Sequence, residues 1–292
     1  MNNQINGLYN LGNTCFFNSI LQLLFQCTIL NKLIISNEFD GSILNEYKNF
    51  LQQYCSVNLS CITPDSIIRL VSNNLNRNGI SQEDADQYLN YIIDSILDDF
   101  KQNDIINNKI SNKNITLDTL IKNIFTLSFK KIIICPICNS QSISNEINNK
   151  LYISIIDNLV IDNTIFNPTN EQLDENNQYK CSKCNQYSCA TIYKEIVSYP
   201  KYLIITLKRY TNTNNKINSP IEINNNLSIN ENNYILRGFV YHSGITNGGH
   251  YVYYGKRDNN WLLFNDSHVS NVNIDQLNQI IQYGYIYLYT KV

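Results

Sequence analysis

The chain has 292 residues, of which 43% are hydrophobic, and its formal net charge is −2. This length and composition can bury a sizeable core, in one large domain or two modest ones. Acidic residues slightly outnumber lysine and arginine, so the basic stripe of a nonspecific nucleic-acid binder is missing and no nucleic-acid partner is expected.

The apolar segments and the cysteines indicate the cellular compartment of the protein. The first six residues are polar, and the longest apolar runs are too short to span a bilayer. Four of the nine cysteines form two CxxC pairs, and the other five lack the spacing of a disulfide framework. We therefore expect a soluble, monomeric, intracellular protein of the cytoplasm, the nucleus or both, with no membrane partner.

The first motif, residues 7–19, places Cys15 between polar turn-forming residues and an apolar helical pattern. That pattern predicts a helix beginning near residue 13 or 14. The free N–H groups and the dipole of a helix start favour a thiolate, the nucleophilic form of cysteine. Cys15 is therefore a candidate nucleophile, although a lone cysteine in such a pattern is more often a small buried core residue.

The clearest helical pattern covers residues 81–100. Its apolar residues recur every three or four positions, and we interpret this face as core packing. Ser81 is predicted to be the N-cap, with Asp84 in the first turn. The Asn-rich segment 102–114 is predicted to be a loop. The apolar positions are Ala85, Tyr88, Leu89, Ile92, Ile93, Ile96, Leu97 and Phe100.

Both CxxC pairs lie in a middle stretch of extended runs, as Cys135 with Cys138 and Cys181 with Cys184. Two such pairs can hold a tetrahedral Zn²⁺, and a site with four thiolates is structural because it leaves no position open. The pairs are further apart than the ~15–20 residues of a compact zinc ribbon, so the metal is expected to join the ends of long strands. Four unrelated buried cysteines, or a redox CxxC, are the alternatives.

From residue 200 onward the pattern predicts strands in which tyrosine alternates with aliphatic residues, as in a half-buried antiparallel sheet. Helices come first and the sheet last, so the predicted fold class is α+β. The chain has three histidines, all near its end. His250 follows a glycine-rich turn and opens a predicted strand, which makes it the best candidate for a base, with His242 second. Asn265 and Asp266 end another predicted strand, where either could orient an imidazole.

Several segments in the right order resemble the ubiquitin-specific protease family. Residues 7–19 resemble its cysteine box, and residues 238–256 followed by 261–270 resemble its histidine box. Three further segments are similar to parts of the family. Residues 81–89 resemble its Gln/Asp-rich helix start, residues 199–210 a strand that precedes a substrate-blocking loop, and residues 283–291 the closing strand.

This resemblance implies one papain-like cysteine protease domain over residues 1–292. It has a helical thumb (1–114), zinc-tied β fingers (115–199) and an antiparallel β palm (200–292). The implied reaction is hydrolysis of isopeptide or peptide bonds after the C-terminal glycine of ubiquitin, through a thioester acyl-enzyme. The implied partners are ubiquitin and ubiquitinated proteins, with ubiquitin-like modifiers as an open alternative.

The resemblance also implies roles for individual residues. Cys15 corresponds to the nucleophile and His250 to the general base, while Asn10 takes the place of a residue that helps to bind the oxyanion. Asn265 matches the third position of the triad. Asp266 matches a neighbouring acid that supports or replaces it, so the choice between these two residues stays open.

For the substrate, the resemblance points to Asp84, Gln87 and Tyr251 as contacts of the basic ubiquitin tail. Gln87 departs from the family, which has a glutamate there, so affinity for the tail or selectivity among modifiers is expected to differ. The main alternative is a catalytically weak or inactive protein that binds ubiquitin or a ubiquitin-like modifier. The motifs disfavour a zinc-dependent nucleic-acid module and an unrelated thiol amidase or acyltransferase.

Overall fold

The computed structural model describes residues 5–39, 41–56, 61–77, 81–106, 123–211, 213, 215–245 and 248–292. Five of the described helices precede the main sheets in the chain, and a short sixth lies before the last strand: α1 (Cys15–Phe25), α2 (Thr28–Ser36), α3 (Ser42–Ser56), α4 (Asp65–Asn74), α5 (Ala85–Ile106) and α6 (Ile274–Ile280). Among the described helices, none is long and apolar enough to cross a bilayer by itself; α1 and α2 meet that test only as a pair bent by 85°.

The strands of the palm form the largest sheet. They are β5 (Leu151–Ser154), β11 (Tyr202–Lys208), β13 (Asn226–Ile229), β14 (Asn232–Ile245), β15 (Gly248–Arg257), β16 (Asn260–Asn265), β17 (His268–Asn271) and β18 (Ile286–Lys291). Their order is β17-β16-β15-β14-β18-β11-β5, with β13 paired to β14. All neighbours are antiparallel except β5, which runs parallel to β11. The predicted α+β class with an antiparallel palm is confirmed.

The fingers are built on a four-stranded sheet in the order β4-β3-β10-β7. Its members are β3 (Leu127–Ile134), β4 (Gln141–Asn148), β7 (Thr169–Gln172) and β10 (Thr191–Ser198). The remaining described strands form three short two-stranded sheets: β1 (Gly7–Leu8) with β2 (Cys61–Ile62), β6 (Val160–Ile161) with β12 (Glu222–Ile223), and β8 (Tyr179–Lys180) with β9 (Tyr187–Ser188).

Two apolar clusters lie on the two faces of the palm sheet, and one of them joins the palm to the thumb. Strand β11 shows why, because side chains of a strand alternate between faces. Tyr202 and Ile204 join the cluster shared with the thumb helices, whereas Leu203 and Ile205 join the cluster on the opposite face. Every residue of α1 is buried, so this helix lies inside the thumb–palm junction.

The predicted stripe of α5 is buried throughout, but both ends of the helix differ from the prediction. The helix begins at Ala85, and Ser81 is not its cap. Instead Asp84 caps it, with Oδ1 accepting from the Gln87 backbone N–H at 3.0 Å, as a cap residue does three positions before its donor. The helix also continues to Ile106, into the segment predicted to be a loop, and residues 107–114 lie outside the described part.

Candidate active site and cysteine cluster

Cys15 is the first residue of α1, so the helix begins where the sequence pattern predicted it to within two residues. The Thr14 carbonyl accepts from the backbone N–H groups of Phe17 and Asn18, both at 3.0 Å. The loop before the helix is folded by Asn10, whose Oδ1 accepts from the backbone N–H groups of Gly12 and Thr14, both at 3.0 Å. The thiol therefore lies on a well-fixed helix start.

The environment of Cys15 acts against a free thiolate. Burial raises the pKa of the thiol, a hydrogen bond from the Tyr251 backbone lowers it, and the charge of Asp266 raises it; the net direction is upward. The resting thiol thus keeps its proton at neutral pH and needs a base to remove it. Tyr251 directly follows His250 in β15, so this contact brings the strand of the candidate base to the thiol.

His250 is oriented by Asn265. Its Nε2 lies 2.6 Å from Asn265 Oδ1 and 3.9 Å from Asp266 Oδ2. The amide oxygen can only accept, so Nε2 carries a hydrogen and Nδ1 of the neutral ring is left as the basic nitrogen. The structure therefore places Asn265 in direct contact with the imidazole, and Asp266 further away.

Asp266 connects the end of β16 to the region around the thiol. Its Oδ2 accepts from Asn10 Nδ2 and its Oδ1 accepts from Asn18 Nδ2, both at 2.8 Å. Asp266 thereby orients the Asn10 amide. Sequence reasoning missed Asn18, and the available signal was a buried amide three residues after Cys15 on an apolar helix.

A pocket of about 560 Å³ lies beside the site, and it contains all three predicted substrate contacts. Asp84 Oδ2 accepts from the Tyr285 hydroxyl at 2.9 Å, and burial raises the pKa of the Asp84 carboxyl. Tyr210 and Tyr285 were missed by sequence reasoning, although both belong to segments that resemble the family. The pocket is lined by Gln82, Glu83, Asp84, Gln87, Tyr210, His242, Tyr251 and Tyr285.

His242, the second candidate base, forms part of this pocket wall. Its Nδ1 is hydrogen-bonded to the Tyr210 hydroxyl at 2.8 Å, and its ring centroid lies 4.3 Å from that of Tyr251. Burial lowers the pKa of His242 to about 4, helped by the charges of Lys216 and His250. His242 is therefore a neutral packing residue above pH 5, and the geometry favours His250 as the base.

The four CxxC cysteines come together in the fingers. Their sulfur atoms all lie within 4.8 Å of one another, with Cys138 3.7 Å from Cys181 and Cys135 3.9 Å from Cys184. Tetrahedral zinc with Zn–S bonds of ~2.3 Å needs neighbouring sulfurs about 3.8 Å apart, so the residues fit the ion.

The cysteine cluster joins two different hairpins. The first pair lies between the long strands β3 and β4, as predicted. The second pair lies between β8 and β9, which have two residues each, so the expectation of long strands at both pairs is wrong. A metal held by the four cysteines would supply the stability that two residue pairs cannot.

A helix that carries Cys15, packed on a sheet that carries His250 and Asn265, defines a papain-like cysteine protease fold. The model of the family described as ubiquitin carboxyl-terminal hydrolase matches residues 6–289. The chain therefore belongs to the ubiquitin carboxyl-terminal hydrolase family.

Curated relatives and solved structures agree with this family. The chain is 26% identical to ubiquitin carboxyl-terminal hydrolase Usp2 of Drosophila melanogaster, over 98% of this chain and 34% of the relative. It is 27% identical to ubiquitin carboxyl-terminal hydrolase 8 of Saccharomyces cerevisiae, over 98% and 70% respectively. The chain spans 34% of the fly relative, so much of that protein has no counterpart here. A solved structure of the SAGA Ubp8/Sgf11/Sus1/Sgf73 DUB module bound to ubiquitin aldehyde matches with a TM-score of 0.78 at 24% identity, over 99% of this chain and 70% of that one, and shares the fold.

Proposed function

We propose that this chain is a thiol deubiquitinase that hydrolyses the isopeptide or peptide bond after the C-terminal glycine of ubiquitin. The observation that carries the proposal is the site itself: Cys15 lies at a helix start and is hydrogen-bonded to the backbone of Tyr251, and the preceding residue His250 is oriented by Asn265. The names of the relatives and the ubiquitin aldehyde bound to the structural neighbour support ubiquitin as the partner.

In the proposed mechanism, His250 Nδ1 removes the Cys15 proton as Sγ attacks the carbonyl carbon of the terminal glycine. The raised pKa of the thiol makes this proton transfer necessary. The imidazolium then protonates the leaving amine, which produces a thioester. Water, deprotonated by His250, attacks the thioester and releases ubiquitin with a free carboxylate, while Sγ recovers its proton.

The oxyanion that forms in each step needs preorganised donors. Asn10 Nδ2 uses one hydrogen to bond Asp266 Oδ2, which fixes the direction of its second hydrogen. We assign that second hydrogen, together with the Cys15 backbone N–H, to the oxyanion. Asp266 thus acts by holding Asn10, whereas Asn265 acts by holding His250.

The pocket beside the site would receive the basic tail of the substrate. Asp84 and the tyrosine rings around it offer a carboxylate and aromatic faces, both of which attract a guanidinium. Gln87 is exposed at the pocket and carries no charge. We therefore propose that selectivity between ubiquitin and related modifiers differs from that of proteases with a glutamate at this position.

Three further parts of the proposal follow from other observations. The four clustered cysteines would hold a structural Zn²⁺, which supplies no chemistry to the reaction because the site is closed. All nine cysteines are free, which supports a reducing compartment, the cytoplasm or the nucleus. We also propose a monomer.

The test is covalent capture with a ubiquitin probe that carries a vinyl electrophile in place of the terminal carboxylate. The wild type should gain the mass of one ubiquitin, Cys15→Ala should gain none, and the control Cys189→Ala should react as the wild type does. A folded wild type that binds ubiquitin without forming the adduct would favour the alternative of a weak or inactive ubiquitin-binding protein. An adduct on Cys15→Ala would show that the nucleophile is another residue.

A further inference from the structure

Strand β15 has one edge that is only partly covered by a strand. Along this edge β16 pairs with β15 from Tyr253 to Arg257. Nearer the turn, the edge is met by a side chain: the Gly249 backbone N–H donates to Gln82 Oε1 at 3.0 Å, and the Gly249 carbonyl accepts from Gln82 Nε2 at 2.8 Å. The side-chain amide of Gln82 thus makes both bonds that one residue of a neighbouring antiparallel strand would make.

The thumb contacts the same edge again two residues later. Backbone groups of residues i and i+2 of a strand point to the same side, so Gly249 and Tyr251 both face the thumb. Gly249 bonds to Gln82, just before α5, and the Tyr251 backbone bonds to Cys15, at the start of α1. His250 lies between these two contacts.

The other side of the hairpin is held as well. A Cβ on Gly249 would lie 2.2 Å from the Ser243 carbonyl oxygen and 2.3 Å from His242 Nε2, so β14 approaches Gly249 as closely as a glycine allows. Lys216 Nζ donates to the carbonyls of His242 at 2.6 Å and Gly244 at 3.2 Å, which fixes the end of β14. The position of Gly249 relative to the thumb therefore depends on Gln82.

We propose that Gln82 is a positioning residue that sets the distance between His250 and Cys15, an inference that rests on the proposed thiol protease function. Cys15 belongs to the thumb and His250 to the palm. Gln82, on the thumb, bonds to Gly249, the palm residue directly before His250. Small displacements of reacting groups lower the reaction rate by large factors. Loss of the Gln82–Gly249 hydrogen bonds should therefore affect turnover more than substrate binding.

The test compares Gln82→Ala, Gln82→Glu and the control Gln52→Ala, which changes an exposed glutamine on α3. Gln82→Ala should lower kcat by roughly 10- to 100-fold with little change in KM, and the control should not. The second measurement is alkylation of Cys15 by iodoacetamide as a function of pH, followed on the Cys15 peptide and without ubiquitin. Gln82→Ala should lower the His250-dependent part of this rate.

Gln82→Glu supplies a signature that a merely structural role would not give. Its carboxylate accepts from the Gly249 N–H but cannot donate to the Gly249 carbonyl, whereas its protonated form can do both. The Cys15 alkylation rate of this variant, relative to the wild type, should therefore be low at pH 8 and rise towards one only as the pH falls through the glutamate pKa of ~4.3.

Two results would overturn the proposal: an alkylation profile of Gln82→Ala that matches the wild type, or a Gln82→Ala defect confined to KM, which would make Gln82 a substrate contact. Failure of the proposed function looks different. In that case His250→Ala and the wild type would share one alkylation profile, whatever residue stands at position 82.

Discussion

The Cys15 thiol lies at a helix start, which favours a negative charge, and it is 3% exposed, which disfavours one. The second effect is the larger, because the pKa of the thiol is raised. The sequence offered burial only as the alternative for Cys15, and it placed Asp266 near the imidazole and not near the thiol. In the proposed mechanism, the nucleophile therefore depends on its base in each cycle.

The free energy of unfolding should depend on pH through His242. Its pKa is about 4 in the fold and ~6.5 in an unfolded chain, so between these values the unfolded chain binds a proton that the folded chain does not. Stability is therefore complete above pH 6.5 and falls as the pH drops. The wild type should lose about 2 kcal/mol of unfolding free energy from this group between pH 7 and pH 5.

Urea unfolding at both pH values checks this, with His242→Gln as the test and His268→Gln as the control. His268 is exposed at the start of β17, so its variant should keep the wild-type pH dependence. Equal pH dependence in the wild type and His242→Gln would show that His242 titrates normally.

At this scale, sequence reasoning identified the residues whose chemistry is rare. Cys15 and His250 stood out because each combines a reactive side chain with a predicted helix start or strand start, and Asn265 was one of two candidates at a predicted strand end. Asn18 and Gln82 did not, since amides are abundant in this chain and their roles depend on contacts with Asp266 and Gly249, far away in sequence.

Helix α5 is joined to the palm by a buried ion pair. Asp86, in its first turn, bonds to Lys150, which is 2% exposed, and Asp86 Oδ1 also accepts from Thr206 Oγ1 at 2.7 Å. Tyr152 donates its hydroxyl to Asp86 Oδ2 at 2.9 Å. These contacts hold the pocket residues at the start of α5 against β5 and β11.

Lys150→Met should therefore be strongly destabilising, because it leaves the Asp86 charge buried without its partner. The expected loss is about 3–5 kcal/mol of unfolding free energy. The double variant Asp86→Asn with Lys150→Met should recover part of it, since no buried charge remains. Urea unfolding of the single and double variants measures both, and a loss below about 1 kcal/mol for Lys150→Met would mean that Asp86 is hydrated in solution.

The elements themselves were largely predictable, and their partners were not. The apolar stripe gave α5 and the alternating tyrosines gave the palm strands, because both patterns are local. The predicted start of α5 was wrong because Ser81 and Asp84 are both suitable N-cap residues. In the structure Asp84 is the cap, since its carboxylate accepts from the Gln87 backbone N–H. The parallel pairing of β5 with β11 depends on residues some fifty positions apart, for example Leu151 opposite Ile205, which no local pattern encodes.

On the scale of the whole molecule, the cysteine cluster is separate from the apolar cores. The cluster on the palm face away from the thumb includes Leu127 and Phe129 at the base of the fingers, and neither apolar cluster includes Cys135 or Cys181. The far end of the fingers therefore depends on the cysteine cluster, whereas the active site rests on the palm. Loss of metal should then unfold one region locally and leave the remainder folded.

Cys138→Ser tests this separation, with Cys189→Ser as the matched control, because Cys189 belongs to the same region but not to the cluster. The wild type and the control should carry about one equivalent of zinc, and Cys138→Ser should carry much less. Limited proteolysis of Cys138→Ser should cut first within residues 135–188, while Cys15 keeps its His250-dependent alkylation. Unchanged zinc content would contradict the assignment of the ligands. Simultaneous loss of the alkylation would instead show that the fingers and the active site unfold together, so that the metal stabilises the whole chain.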